Sequence, residues 1–181
     1  MEPEIEVYTG PMFSGKTSSI CSALNTLSQF SEKCVLVRPS IDSRVYLSHS
    51  NIIRASEEDF GFETVSVDKL GDLDVSGYDF IAVDEGQFFE DLKTVVDWRS
   101  QGKKVFVACL SSDFRREIFP RVADIIPHVT LHQLKAVCIH CRDEGRHDFI
   151  TATYTKRIFG DDNQIAIGGA ESYEARCPVH F

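Results

Sequence analysis

Short apolar segments alternate with helix-like segments along most of the chain. Apolar residues recur at helical spacing in one early segment, at Ile20, Ala23, Leu24, Leu27 and Phe30, and residues 95–99 are predicted as a second helix. Six other segments, most of them with β-branched residues, are predicted as strands: residues 5–9, 35–37, 64–67, 80–83, 105–110 and 130–137. Near-continuous apolar strands that alternate with helices are typical of a mostly parallel α/β sheet covered by helices on both faces. Such folds bind their ligands at the carboxyl ends of the strands.

The pattern changes after residue 137. Residues 138–181 are rich in Cys, His, Gly and turn-forming residues, and a segment of this size and composition cannot build a core of its own. We therefore predict an α/β domain at residues 1–137 and a small C-terminal unit at residues 138–181 that needs an additional cross-link.

Composition and charge limit the classes of function. Of the 181 residues, 43% are hydrophobic and 26% are charged, which is sufficient for a packed core. The apolar runs are far shorter than the roughly 20 residues that span a bilayer, and the first residues lack the basic start and apolar run of a signal peptide. We therefore expect a reducing compartment, where the six cysteines are metal ligands or core residues rather than disulfides. The net charge of −9 disfavours a nucleic-acid partner and favours a small anionic ligand held by local donors.

A phosphate-binding loop follows the first predicted strand and opens the first predicted helix. The match to G-x-x-x-x-G-K-[ST] consists of Gly10, Pro11, Met12, Phe13, Ser14, Gly15, Lys16 and Thr17. Glycines let the backbone curl so that successive N–H groups point at an anion, and the helix N-terminus adds a favourable dipole. We expect Lys16 to reach the β- and γ-phosphates of a nucleotide and the Thr17 hydroxyl to bind Mg²⁺.

Two carboxylates follow the apolar strand predicted at residues 80–83. Acids often end strands because they face solvent, but beside a phosphate loop Asp84 and Glu85 are typical of a Walker-B site. Side chains alternate along a strand, so the two cannot project the same way if the strand stays regular. We assign Asp84 to the magnesium ion and Glu85 to the general base for the attacking hydroxyl.

Two short knuckles in the C-terminal unit offer the ligands of a closed structural zinc site: Cys138, Cys141, Cys177 and His180. His140 and His147 are rival ligands, although His140 lies inside a tight knuckle. A redox C-x-x-C motif is the other interpretation, but it lacks the position in a thioredoxin-like βαβ unit that such a motif has. The remaining cysteines lie in apolar elements and are predicted to be small core residues: Cys21, Cys34 and Cys109.

Several segments together resemble one family, the type II thymidine kinases of cells and poxviruses. The phosphate loop at residues 10–17 is similar to that of the family, and D-E-G-Q-F-F at residues 84–89 is similar to a signature far more specific than a generic Walker B. Y-T-K-R at residues 154–157 and I-G-G-A-E-S-Y at residues 167–173 are similar to the tract before the family's lasso loop and to the loop itself. The resemblance covers nearly the whole chain and implies a P-loop α/β domain with a small zinc-ribbon and lasso subdomain.

The resemblance also implies a reaction and a set of site residues. The reaction is transfer of the γ-phosphate of ATP, with Mg²⁺, to the 5′-hydroxyl of deoxythymidine, and Glu85 would take the hydroxyl proton. Residues 10–17 would bind ATP and Mg²⁺ together with Asp42, Ser43, Arg44, Asp84 and Gln87, and Arg157 would assist in neutralising charge. Thymidine would contact Met12, Phe88, Leu110, Phe114, Thr155, Gln164, Ile165, Ala166, Ile167, Gly168 and Tyr173.

The family resemblance further implies a homotetramer, feedback inhibition by dTTP and a cytoplasmic role in nucleotide salvage. The sequence departs from the family pattern at three places. Residues 142–153 are longer than the corresponding stretch of poxviral-type relatives, Ser111 stands where an Asp is usual, and Pro120 stands where a Gly is common.

A second function remains open from the residues alone. A P-loop and a zinc unit could also form a nucleic-acid-dependent ATPase, with the zinc unit as the polymer-binding module. The net charge of −9 and the lack of a basic, aromatic-rich stripe count against this alternative. Stimulation of ATP hydrolysis by DNA or RNA would distinguish the two.

Overall fold

A computed structural model of the chain describes residues 4–42, 61–146, 151–160, 163–164 and 168–181. Its main feature is a six-stranded sheet, in which every neighbouring pair of strands is parallel. The strands are β1 (Ile5–Gly10), β2 (Cys34–Pro39), β3 (Glu63–Val67), β4 (Phe80–Val83), β5 (Lys104–Leu110) and β6 (Thr130–Gln133). Their order across the sheet is β3-β2-β4-β5-β1-β6, which confirms the predicted parallel α/β architecture.

Helices cover both faces of the sheet. They are α1 (Lys16–Ser28), α2 (Thr94–Ser100) and α3 (Pro120–Ala123), with short 3₁₀ turns at Leu70–Asp72, Gly86–Phe88 and Ile126–His128. The α1 side has a core that includes Ile20, Leu24, Leu36, Ala82 and Phe106. The opposite side has a larger core, which includes Val83, Leu92, Val95, Trp98 and Val107. Burial of both faces explains why the central strands read as continuous apolar runs rather than as an alternating pattern.

The predicted helix face extends too far at one end. Helix α1 ends at Ser28, and Phe30 lies in the turn after it with 85% of its surface exposed. The amide N–H groups of Phe30 and Ser31 both donate to the carbonyl of Leu27, which closes the helix before Phe30 can turn inwards.

The strand predicted at residues 130–137 is two strands. β6 pairs with β1 in the main sheet, whereas β7 (Ala136–Val137) pairs antiparallel with β8 (Thr151–Ala152) in a separate sheet. The chain leaves the main sheet after Leu134, whose N–H donates to the Thr9 carbonyl at 2.7 Å, and β7 begins two residues later.

The C-terminal part consists of short elements around a small core. Helix α4 (Ile139–Asp143) follows β7, and β9 (Tyr154–Arg157) pairs antiparallel with β10 (Tyr173–Arg176). The core between them contains Ala136, Cys138, Cys141, Ala152, Ala175 and Cys177. Its largest members are cysteines, so this part has little apolar surface to bury and depends on other bonds. Nowhere in the described ranges does a helix have the length and apolar character to cross a membrane.

Candidate active site

The phosphate loop connects β1 to α1 at the carboxyl edge of the sheet. Gly15 adopts a left-handed conformation with φ of 84°, which glycine accepts without strain. At Gly10 a Cβ atom would lie 2.6 Å from the Leu134 carbonyl oxygen, so a larger residue does not fit. Lys16 is 8% exposed, and its Nζ donates to the Pro11 carbonyl at 2.7 Å across the loop. The loop therefore has the curled shape and the inward lysine that phosphate binding requires.

Thr17 and Asp84 join the phosphate loop to the end of β4. The Thr17 Oγ1 hydroxyl donates to Asp84 Oδ1 at 2.9 Å, and Asp84 is only 1% exposed. The Asp84 N–H donates to the Val37 carbonyl on the neighbouring strand, which fixes the carboxylate relative to the sheet. A hydroxyl and a carboxylate in contact beside a phosphate loop are the pair that holds Mg²⁺ in nucleotide-binding folds.

Glu85 turns away from Asp84 because the chain leaves the strand between them. Its backbone is left-handed, with φ of 51°, and its side chain lines a cavity. The Gln87 side-chain amide donates to Glu85 Oε2 at 2.5 Å, while Gln87 Oε1 accepts from the Leu110 N–H at 3.0 Å. Gln87 is fully buried. The two acids therefore contact different partners because the strand ends before them, rather than through the alternation of a regular strand, and Gln87 orients the second one.

The cavity beside Glu85 has a volume of about 400 Å³. All the described residues that the sequence assigned to the substrate line it: Met12, Phe88, Leu110, Phe114, Thr155, Gln164, Gly168 and Tyr173. The Met12 N–H donates to Thr155 Oγ1 at 2.9 Å, which ties the phosphate loop to β9. The cavity thus lies between the carboxyl edge of the sheet and the C-terminal part, with the candidate base in its wall.

Four potential metal ligands meet in the C-terminal part: Cys138, Cys141, Cys177 and His180, whose ligand atoms all lie within 4.8 Å of one another. His180 Nδ1 is 3.3 Å from Cys141 Sγ and 3.4 Å from Cys177 Sγ, and the two sulfurs are 3.7 Å apart. Zinc–sulfur bonds of about 2.3 Å in a tetrahedron place sulfurs roughly 3.7 Å apart, so the donor set fits a tetrahedral metal ion.

The surroundings of this cluster prepare it for a metal. His180 Nε2 lies 3.1 Å from Glu144 Oε1, which leaves Nδ1 facing the thiols. Burial acts to raise the pKa of the Cys138 thiol, but hydrogen bonds from the backbone N–H groups of Cys141 and Cys177 and from the His180 and Cys177 side chains outweigh it and lower that pKa to about 6. Burial and the two neighbouring thiols raise the pKa of Cys141 to about 12, so Cys138 is the thiol of this pair that ionises first. A thiol that deprotonates this readily is a good metal ligand.

The rival ligand and the other cysteines lie elsewhere. His140 Nε2 contacts Glu174 Oε2 at 3.2 Å and is not a member of the cluster. All six cysteines are free thiols. Cys21, Cys34 and Cys109 are buried in the two main cores, as predicted, and burial raises the pKa of the Cys109 thiol to about 12.

Comparison with known proteins identifies the family of this chain. A family model described as thymidine kinase matches residues 3–181. The chain belongs to the thymidine kinase family. The thymidine kinase of Mycoplasma mobile is 35% identical over 179 residues, which cover 96% of this chain and 84% of the relative. Thymidine kinase 1 of Dictyostelium discoideum is 32% identical over 178 residues, which cover 96% of this chain and 75% of the relative. The thymidine kinase of Choristoneura fumiferana entomopoxvirus is 30% identical over 186 residues, which cover 98% of this chain and 95% of the relative.

Two residues that the family resemblance assigned to the nucleotide make contacts within the protein, and several others lie outside the described residues. Asp42, expected near the nucleotide phosphates, lines the cavity and forms a buried ion pair with Arg38 at 3.1 Å. Gln87, also assigned to the nucleotide, contacts Glu85 and Leu110 as described above. Ser43, Arg44, His147, Ile165, Ala166 and Ile167 lie outside the described residues.

Arg157 belongs to the aromatic wall of the cavity in this member of the thymidine kinase family. Its guanidinium carbon lies 3.9 Å from the centre of the Phe114 ring, and its Nη2 donates to the Tyr173 hydroxyl at 2.8 Å. Another hydrogen bond runs from Arg157 Nη1 to the Asn163 carbonyl at 2.6 Å. Arg157 therefore positions Phe114 and Tyr173 relative to each other.

Asp113 and Glu171 also line the cavity, although neither was assigned to the substrate from the sequence. Asp113 is 3% exposed and accepts hydrogen bonds from three residues. In the sequence Asp113 follows two serines in a polar stretch and has no motif around it, so it is typical of a solvated loop. No local signal distinguished this buried carboxylate.

Proposed function

We propose that this chain is an ATP-dependent thymidine kinase that converts deoxythymidine to dTMP. The observation that carries the proposal is the position of Glu85, which lines a nucleoside-sized cavity one residue after the carboxylate that contacts the phosphate loop. The relatives named above support the choice of nucleoside. A nucleic-acid-dependent ATPase is not favoured, since the site is a cavity of nucleoside size and the net charge is −9.

The residues divide the phosphoryl transfer between them. The curled loop and Lys16 hold the β- and γ-phosphates, and Thr17 with Asp84 would hold Mg²⁺, which neutralises charge on those phosphates when bound. The 5′-hydroxyl oxygen of thymidine forms a bond to the γ-phosphorus while the bond to the β–γ bridging oxygen breaks. Glu85 accepts the hydroxyl proton. Because this transfer depends mainly on positioning and charge, a carboxylate is a sufficient base.

Recognition of the base follows from the shape and chemistry of the cavity. Phe114 offers an aromatic surface for a pyrimidine ring. The Arg157 guanidinium packs against the Phe114 ring and holds it in place. Leu110 and Met12 add apolar walls, and a cavity of about 400 Å³ suits a nucleoside rather than a polymer. Discrimination against other nucleosides then depends on a close apolar fit and a few polar groups.

Structural zinc is the ion we propose for the cluster of three cysteines and one histidine. A closed set of four N and S donors fits zinc, and such sites contribute folding energy directly. The cluster holds α4 against the segments that carry β9 and β10, and Thr155 and Tyr173 on those strands line the cavity. The metal would therefore support the substrate cavity without touching the reaction.

The remaining parts of the proposal rest on family resemblance. They are a homotetrameric assembly, inhibition by dTTP, a cytoplasmic location and a position near the nucleotide phosphates for Ser43 and Arg44. Residues 164–168 and Tyr173 would form the lasso loop over the base and sugar. The small domain at residues 138–181 would act as the closing half of the site, with residues 1–137 as the nucleotide-binding half.

The test is phosphate transfer from ATP with Mg²⁺ to a panel of thymidine, deoxyuridine, deoxycytidine and deoxyadenosine, followed by product chromatography. ATP hydrolysis is measured in parallel with and without single-stranded DNA. We expect dTMP as the main product and no stimulation by DNA. Hydrolysis that rises steeply with DNA, without phosphorylation of any nucleoside, would overturn the proposal.

A further inference from the structure

Asp113 is a buried carboxylate that bonds in two directions within the cavity wall. It lies in the segment between β5 and α3, and only 3% of its surface is exposed. A buried carboxylate is costly unless hydrogen bonds satisfy its oxygens. The partners of its two oxygens come from different parts of the chain, and this division suggests its role.

One oxygen builds the turn that carries Phe114. Asp113 Oδ1 accepts from the Arg115 N–H at 2.8 Å and from the Glu117 N–H at 2.9 Å. The Asp113 N–H in turn donates to the Glu117 carbonyl at 2.9 Å, and Arg116 takes up a left-handed conformation with φ of 69°. These bonds close a tight turn, and the turn holds Phe114 at the cavity surface.

The other oxygen reaches the opposite wall. Asp113 Oδ2 accepts from Gln164 Nε2 at 3.0 Å, although the two residues are 51 positions apart in the sequence. Gln164 lines the same cavity, in the part of the chain that also supplies Gly168 and Tyr173. The carboxylate therefore spans the two walls, with the turn on one oxygen and Gln164 on the other.

We propose that Asp113 is a positioning residue for thymidine, which latches Gln164 to the Phe114 turn. A hydrogen bond between a carboxylate and an amide is stronger than a neutral one, so it holds the walls at a fixed separation. Neither Asp113 nor Gln164 bonds to Glu85 or the phosphate loop in the described contacts. The latch therefore acts on thymidine KM rather than on kcat, and the inference rests on the proposed kinase activity.

A compensating pair of substitutions tests the latch. Gln164→Glu places a second carboxylate against Asp113, and the repulsion should raise thymidine KM by roughly tenfold or more while kcat and the KM for ATP change less than about threefold. Asp113→Asn/Gln164→Glu restores one donor and one acceptor in the same place, so KM should return to within about threefold of the parent value. Asp113→Asn alone should raise KM only a few-fold, because the Gln164 amide can rotate to present its oxygen.

Gln101→Glu is the matched control, since it makes the same charge change in an exposed turn after α2, at the other end of β5. If the parent enzyme phosphorylates thymidine but the double variant is no better than Gln164→Glu, the latch is wrong and the proposed function stands. If the parent phosphorylates no nucleoside, the proposed function fails first. Should Gln164→Glu be too unstable for kinetics, the same cycle is scored on melting temperature, and a double variant that melts no higher than the single one also refutes the contact.

Discussion

Gln87 supports both the candidate base and the fold, and its replacement should weaken both. Its side chain is fully buried and joins Glu85 to the backbone of Leu110 through one donor and one acceptor. Gln87→Met keeps the length and approximate volume but removes both groups. The fold then keeps its packing, while Glu85 loses the donor that orients it.

The expected losses of stability and of kcat follow from the two hydrogen bonds that Gln87 makes. Without Gln87 Oε1 the partly buried Leu110 N–H loses its side-chain acceptor, which costs about 1–3 kcal/mol. Loss of the charge-assisted bond to Glu85 adds about 1 kcal/mol, because Glu85 is only partly buried and water replaces part of it. We therefore expect the free energy of unfolding to fall by about 2–4 kcal/mol, and kcat to fall by about 10- to 100-fold as the base moves from its position.

Urea denaturation measures the stability, and steady-state kinetics with thymidine and ATP measures kcat. Gln101→Met, in the exposed turn after α2, is the matched control and should change neither quantity appreciably. A variant that loses stability but keeps kcat within about threefold would refute the reasoning, because Glu85 would then need no orientation by Gln87.

Two further predictions concern metal ions. Thr17→Val removes the hydroxyl that contacts Asp84, and with it one of the two proposed Mg²⁺ ligands. We expect kcat to fall at least about 100-fold and to recover in part at high Mg²⁺, because the Asp84 carboxylate remains. Unchanged kcat at low Mg²⁺ would contradict the assignment. Cys177→Ser should lose the metal, as measured by elemental mass spectrometry, and should raise the KM for thymidine more than the KM for ATP. Cys21→Ser, in the core beside α1, is the control and should keep the metal. Full metal content in Cys177→Ser would show that the cluster is not the metal site.

The parts of the fold that follow from local sequence were predictable. Buried parallel strands carry continuous apolar runs, so β4 and β5 were recognisable, and the glycine and lysine spacing of the phosphate loop identified its conformation. The contact between Thr17 and Asp84 follows from that loop and the neighbouring strand, because ligands collect at one edge of a parallel sheet.

The features that depend on distant partners were not predictable. Nothing near Phe30 signals that α1 ends two residues earlier, and no glycine or proline at residues 130–137 marks the point where the chain passes from the main sheet to the second one. Asp113 is the clearest case. Its burial depends on Gln164, far along the chain, and no spacing rule relates the two.

The role of Glu85 is the central claim, and Glu85→Gln tests it most directly. The substitution keeps the size of the side chain and removes its ability to take a proton. We predict that kcat for thymidine phosphorylation falls at least about 100-fold while ATP and thymidine still bind with nearly unchanged Kd values, measured by calorimetry. A variant that retains kcat within about threefold of the parent would contradict the account, because the proton of the 5′-hydroxyl would then leave by another route.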